Sequence, residues 1–296
     1  GKTEVALRAS FIVAQNDYQV CILAPTTVLA KQHFEVFKER FSEFPYRICL
    51  LTREQTKTEK AEIYKKIKEN HFSIIIGTHA LFNKEISFKS LNLLIIDEEH
   101  KFGVRQKEQI RSLKNGINVI SLSATPIPRT LNLSLSKVRD ISLITTPPTG
   151  RKSVKTIVSR YSKSLVFEAI QREFYRDGQV FYLLNNVSML EEKKKEISDR
   201  FPGKTIAFAH GQLRPKELSK VMQSFIRKEI DLLVCTTIIE SGIDIENANT
   251  LIVEESENYG LSQLHQIRGR VGRSKREAYA YFLLNENKEL KNKASE

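Results

Sequence analysis

Residues 93–100 read Leu-Leu-Ile-Ile-Asp-Glu-Glu-His, four aliphatic side chains followed at once by three carboxylates. An aliphatic run of strand length with no polar alternation is what a parallel sheet buried on both faces demands. In an open parallel sheet, ligands bind beyond the carboxyl ends of the strands. The stretch therefore predicts a strand at Leu93–Asp97 that delivers Asp97 and Glu98 to a nucleotide-binding edge. Asp97 has the chemistry to hold the Mg²⁺ that bridges phosphates, and Glu98 to polarise an attacking water. An acidic strand-to-helix loop exposed to solvent is the plainer reading of the same residues.

Outward from there, short β-rich runs alternate with helical patterns. Strands are expected at Gln19–Ala24, Ile48–Leu51, Ser73–Ile76 and Asn118–Leu122, and helices at Val28–Phe41, Thr58–Asn70 and Gln106–Lys114. Thr145–Arg151 (TTPPTGR) breaks the pattern and reads as a linker, because two prolines and a glycine continue neither element. The alternation then resumes with strands at Lys155–Val158, Gln179–Leu184, Lys204–Ala209, Asp231–Cys235, Thr250–Val253 and Ala278–Leu284. Helices are expected between them at Lys163–Arg176, Met189–Arg200, Pro215–Arg227 and Ser262–Arg268. The expected fold class is α/β, with two tandem domains, residues 1–147 and 148–296, each a mainly parallel sheet flanked by helices. The polar, Lys-rich end, Glu286–Glu296, reads as a frayed or truncated helix.

The chain has 296 residues, 28% charged and 41% hydrophobic, a balance that suits a soluble globular protein. No apolar run approaches the length of a membrane span, and the first residues lack the basic and apolar regions of a secretory signal. Cys21, Cys49 and Cys235 are too few and too scattered for a disulfide framework or a C-x-x-C knuckle. A reducing, cytoplasmic compartment is expected. The formal charge of +12 is spread over both halves. That excess fits a polyanion lying across both domains, and equally fits a lysine-rich composition with no partner.

Gly1-Lys2-Thr3 has the form of the last residues of the phosphate-binding loop G-x-x-x-x-G-K-[ST] and is followed by a helical pattern. In such a loop the lysine neutralises phosphate charge and the threonine hydroxyl ligates Mg²⁺. A second Gly-Lys-Thr at Gly203–Thr205 opens a strand and is read as structural only. Pro25-Thr26-Thr27, Gly77-Thr78-His79 and Ser123-Ala124-Thr125 each follow an apolar run, as the acidic stretch does. Four small or polar loops at four strand ends suit contacts to a phosphate backbone. In the second half, Thr236–Asp244 (TTIIESGID) offers Gly242 for a tight turn and Asp244 to orient an arginine or a ribose hydroxyl. Gln263–Ser274 (QLHQIRGRVGRS) spaces Arg268, Arg270 and Arg273 around two glycines, a pattern that suits arginine fingers. The six histidines show no metal-ligand spacing.

In order along the chain, GKT (1–3), APTTVLAKQH (24–33), GTH (77–79), DEEH (97–100), SATPIPRT (123–130), CTTIIESGIDI (235–245) and QIRGRVGR (266–273) resemble the motif series of a superfamily 2 helicase motor. More narrowly, DEEHKFGVRQKE, SATPIPRTLN and GLSQLHQIRGRVGRS resemble the bacterial transcription-repair coupling factors. The RecG branch-migration helicases are the nearest relatives in these motifs. RecG-type chains tend to read DEQH where this one has Glu99.

The resemblance implies two RecA-like domains that use ATP and Mg²⁺ to move on double-stranded DNA. By it, Gly1, Lys2 and Thr3 bind the phosphates and Mg²⁺, and Asp97 and Glu98 complete the hydrolytic site. Arg270 and Arg273 act as fingers from the second domain, Gly242 and Asp244 help at the cleft, and Thr26, Thr78, Thr236 and Thr237 touch the DNA backbone. RNA polymerase and nucleotide-excision-repair proteins would be met through regions outside this chain, and no membrane is involved. The sequence begins at the last glycine of the phosphate loop, within the Walker A motif, and holds little beyond the last helicase motif. Weak or absent ATP turnover by the fragment is the corresponding expectation. Two other readings remain: a RecG-like helicase for branched DNA, and a non-catalytic DNA-binding fragment.

Overall fold

The computed structural model describes residues 2–113, 116–123, 140–146, 152–236, 245, 247–272 and 276–285. The chain divides into two compact units, Gly1–Pro147 and Pro148–Glu296. The residues of the expected linker from 147 to 151 lie outside the described residues, as does the C-terminal stretch from 286.

In the first unit, helices α1 (Lys2–Gln15), α2 (Thr27–Arg40), α3 (Lys57–Lys68) and α4 (Val104–Leu113) surround strands β1 (Gln19–Leu23), β2 (Ile48–Leu51), β3 (Ile74–Gly77), β4 (Leu91–Asp97) and β5 (Asn118–Leu122). The strands lie in the order β2-β3-β1-β4-β5, and every pairing is parallel. Side chains alternate between the faces of a strand, so the aliphatic runs feed two cores. Val20, Ile22, Ile74, Ile76, Leu93 and Ile95 pack on one face with Leu29 and Phe37 of α2. Cys21, Leu23, Ile75, Leu94 and Ile96 pack on the other with Ile67 of α3 and Ile110 of α4. This two-sided burial explains the absence of polar alternation in the sequence.

The second unit contains strands β6 (Lys155–Arg160), β7 (Gln179–Leu183), β8 (Ile206–Ala209), β9 (Leu232–Cys235), β10 (Ala248–Val253) and β11 (Tyr279–Leu284). Its helices are α5 (Lys163–Tyr175), α6 (Leu190–Arg200), α7 (Pro215–Ile226) and α8 (Leu261–Arg268). The strands, again all parallel, run β6-β11-β10-β7-β9-β8. These are two α/β sheets flanked by helices, the fold of two tandem RecA-like domains. Element ends differ from the sequence expectation by one or two residues at most positions. The second Gly-Lys-Thr is structural as expected: Thr205 N–H donates to the Asp231 carboxylate at 2.8 Å, and β8 begins immediately after it.

The second unit repeats the plan of the first, with β8-β9-β7-β10-β11 following the order β2-β3-β1-β4-β5 and β6 added at one edge. The repeat extends to single residues. Each central strand opens with a buried glutamine that ties down a neighbouring helix end. Gln19 donates to the carbonyls of Ile67 and Phe72 at 3.1 and 3.3 Å, and Gln179 donates to those of Phe225 and Ile230 at 2.7 Å each. The left-handed non-glycine residues also fall in pairs: Asp17 with Asp177, Asn70 with Lys228, and Glu98 with Glu255. Such conformations are uncommon outside glycine and persist only where surrounding structure enforces them.

Gly77 marks where β3 passes closest to β2. A Cβ at this position would lie 2.2 Å from the Leu51 carbonyl oxygen, while Thr78 N–H donates to that same oxygen at 3.2 Å. Gly77→Ala is expected to destabilise the first unit by about 2 kcal/mol or more, because backbone must move. Gly116→Ala, at φ +78 in open space, should cost only about 1 kcal/mol of conformational strain. Urea unfolding of the two variants checks this. Equal midpoints would mean that the close approach at Gly77 carries no weight.

Candidate active site

β4 carries Asp97 and Glu98 to the carboxyl edge of the first sheet, where both are buried, 8% and 3% exposed. Glu98 takes a left-handed conformation, φ 53°, and a single 3₁₀ turn, Glu99–Lys101, follows. Its N–H is held by the Leu122 carbonyl at the end of β5, 2.8 Å away. The left-handed residue interrupts strand alternation at Glu98. Two buried carboxylates are costly unless cations or hydrogen bonds meet them. Lys2, at the start of α1, places Nζ 3.0 Å from Glu98 Oε1, and His100 Nδ1 lies 3.5 Å from Oε2. His33 Nε2 is 2.9 Å from Asp97 Oδ2, both side chains being buried.

Lys2 is thus brought to Asp97 and Glu98, ninety-five and ninety-six residues along the sequence. His33 escaped the sequence reading. It sits on the inward face of α2 with Leu29, Ala30 and Phe37, where helical spacing alone suggests a packed core residue. The group can do what MgATP requires: an ammonium for phosphate charge, one carboxylate for the metal, and one to take a proton from water. Thr3 lies on the first turn of α1, half-buried. Among the described residues no three His, Cys, Asp or Glu side chains form a metal cluster.

The other strand-end loops lie along the same edge. Thr26 caps α2, its hydroxyl accepting from Leu29 N–H at 3.3 Å. Thr78 is buried, 1% exposed, and its hydroxyl has no hydrogen-bond partner among the described residues. Beside it opens a cavity of about 800 Å³ lined by Arg53, Lys57, Lys60 and His79, with Glu85 the one carboxylate in its wall among the described residues. Burial, together with the Arg53 and Lys60 charges, holds the pKa of His79 below its usual value. The loop that presents Arg53 is tied by hydrogen bonds. Buried Thr52 gives both its N–H and its hydroxyl to Gln55 Oε1, Gln55 donates to the Leu50 carbonyl, and Thr56 and Glu59 form a capping box on α3. These basic residues were also missed by the sequence reading, since charges on a helix start resemble any solvated face.

In the second unit Thr236 is buried at the end of β9, its N–H donating to the Ala209 carbonyl at 3.3 Å. Arg270 follows α8 and is 5% exposed. Arg268 is held by Thr156 and His265, at 3.5 and 3.0 Å. Gly272 has φ +74, and a Cβ there would meet Val154 and Ala278 at 2.8 and 2.9 Å, so only glycine fits between the arginines. Gly1, Thr237, Gly242, Asp244, Arg273 and the SATPIPRT residues from 124 onward lie outside the described residues. The cysteines are buried and free. Burial pushes the thiols of Cys21 and Cys49 up to about 12 and that of Cys235 higher still, which removes them as nucleophiles. No helix among the described residues is long and apolar enough to cross a membrane.

Residues 1–133 match the DEAD/DEAH box helicase family, and residues 163–275 match the helicase conserved C-terminal domain. Both units therefore carry helicase domains. It is similar to the transcription-repair-coupling factor of Escherichia coli K12, 48% identical over 283 residues, and to that of Staphylococcus epidermidis, 50% identical over 296 residues. The match covers 96% and 100% of this chain but 25% of each relative, so the chain spans about a quarter of their length. Among solved structures it is similar to RecG bound to a three-way DNA junction, with TM-score 0.81 and 34% identity over the whole chain and 39% of RecG. Yeast Dbp5 bound to RNA and ADP BeF3, 17% identical with TM-score 0.72 over 97% of this chain and 77% of that one, shares the fold.

Removing His33 takes one hydrogen-bond partner from the buried Asp97 carboxylate. His33→Ala is expected to cost about 1–3 kcal/mol of stability, with His33→Asn recovering part of it. Denaturant unfolding measures both, and an unchanged His33→Ala midpoint would contradict the role given to the Asp97 pair.

Proposed function

We propose that this helicase chain is the ATP-driven motor of a transcription-repair coupling protein, moving on double-stranded DNA to displace stalled RNA polymerase. The observation that carries the reading is the pairing of Lys2 with Glu98 and His33 with Asp97 at one strand end. MgATP supplies the phosphoryl group whose transfer to water drives the motor. Lys2 offsets the phosphate charge, Thr3 and Asp97 hold the metal, and Gly1 lets the backbone approach. Glu98 orients the attacking water and accepts its proton. Arg270 and Arg273 of the second unit meet charge developing on the transferred group, and Gly242 and Asp244 assist at the nucleotide.

Thr26 and Thr78 mark the DNA side of the first unit, and Thr236 and Thr237 that of the second. Arg53, Lys57 and Lys60 add the positive charge that a phosphate backbone requires. Since the Thr78 hydroxyl is buried, the cations around the neighbouring cavity carry most of the contact there. RNA polymerase and excision-repair proteins would bind elsewhere on a longer protein working in the cytoplasm. The likeness to RecG on a three-way junction supports a second reading, a helicase that remodels branched DNA.

ATP turnover separates these readings, measured with no DNA, linear duplex and forked duplex, on protein whose phosphate-binding loop is complete. Linear duplex is expected to raise the rate at least as much as forks do. A marked preference for forks would favour the branched-DNA reading, and turnover indifferent to DNA would contradict both.

A further inference from the structure

The second unit holds a modified copy of the acidic site. Leu23 pairs with Ile96 across β1 and β4, and Leu183 pairs with Val253 across β7 and β10. Asp97 therefore corresponds to Glu254, and Glu98 to Glu255. Both second residues are left-handed, at φ 53° and 47°, and both are followed by one 3₁₀ turn. In each unit the helix after the central strand sends a basic side chain to the first acid. In the first unit this is His33; in the second it is Lys193 of α6, with Nζ 3.0 Å from Glu254 Oε1.

The copy differs in being closed by its own residues. Glu254 also accepts from the buried Tyr182 hydroxyl. Lys193 reaches Glu196 at 3.0 Å and the Tyr161 hydroxyl at 3.2 Å, and Glu196 in turn meets Lys163 at 2.6 Å. Burial pulls the Lys193 pKa down, but the Glu254 charge and the hydrogen bonds outweigh it and leave it above the usual lysine value. Burial, with Glu254 alongside, raises Tyr182 well above the tyrosine range. The lysine ammonium sits against the acid that corresponds to Asp97, so this copy is built for fixing geometry. A buried ion pair adds little net stability over apolar packing, and its best-attested use is to specify one arrangement.

What the pair would fix follows it in the chain. Glu254 N–H is held by the Leu183 carbonyl at 3.0 Å. The 3₁₀ turn Ser256–Asn258, buried Tyr259 and α8 then lead directly to Gly269 and Arg270. The far end is anchored by Ile267 and Val271, both fully buried. We propose that Glu254, Lys193 and Tyr182 are positioning residues for Arg270, setting where the α8 segment delivers its guanidinium. This inference rests on the arginine role proposed above.

The test is a double-mutant cycle on DNA-stimulated ATP turnover in the full-length protein, its phosphate-binding loop complete. Arg270→Ala should lower kcat by about 10³-fold. Glu254→Gln should lower kcat by about 10–100-fold, the scale of a misplaced catalytic group, with KM for ATP little changed. In the Arg270→Ala background, Glu254→Gln should add nothing, because the group it positions is gone. Tyr182→Phe, which removes only a hydroxyl, should show the same non-additivity if Glu254→Gln folds poorly. Multiplying effects would overturn the proposal and leave Glu254 a purely structural residue. Normal turnover by Arg270→Ala would overturn the arginine role and this inference together, whereas a defect confined to Arg270→Ala would overturn this inference alone.

Discussion

Two adjacent carboxylates buried at the end of one strand are the constraint around which the first unit is organised. Neither Asp97 nor Glu98 is tolerable there as an isolated charge, because desolvation of an unpaired carboxylate costs several kcal/mol. The compensation comes from opposite ends of the unit's sequence order: Lys2 from α1, His33 from α2 and His100 from the turn after β4. Helix placement and site chemistry are therefore one problem. α1 and α2 pack on the sheet through Ala6, Leu7, Leu29 and Phe37, and that same packing brings an ammonium and an imidazole to the acids. A ligand with phosphates and a divalent cation would exchange partners with this set rather than create a site from nothing.

The second unit shows how the same plan is put to another use. Gln179 repeats the tie made by Gln19, and Asp177, Lys228 and Glu255 repeat the left-handed turns of Asp17, Asn70 and Glu98. With so much retained, the differences are informative. Lys193 replaces an imidazole by a longer, charged side chain, Tyr182 donates to the acid, and Tyr161 accepts from the lysine. Under the positioning role proposed for them, these residues set the base from which α8 and the arginine-bearing segment start. Gly272, pressed between Val154 and Ala278, fixes that segment's exit.

Most of the fold was legible because parallel strands buried on both faces write themselves as Val, Ile and Leu runs. Ile48–Leu51 and Asn118–Leu122 coincide with the strands formed, and helix ends miss by a residue or two because capping and fraying blur them. The acidic pair was legible too, since a strand end in such a sheet faces the ligand. His33 was not, because its helical spacing is that of a core residue and its partner lies sixty-four residues away. Arg53, Lys57 and Lys60 were hidden by looking like an ordinary solvated helix start; only the adjacency of β2 and β3 shows that they share a cavity with His79. The internal repeat was present in sequence as Asp-x-Gln-Val at 17–20 and 177–180, too short a signal to notice without the paired turns.

The role proposed for Glu98 is to activate water at a site assembled by Lys2, His33 and Asp97. Its most direct test is Glu98→Gln in protein with a complete phosphate-binding loop, comparing ATP turnover with ATP and DNA binding. The account predicts loss of turnover while both ligands still bind, since the amide keeps the shape and a contact to Lys2 but cannot accept the proton. Turnover at the rate of the unmodified protein would contradict it.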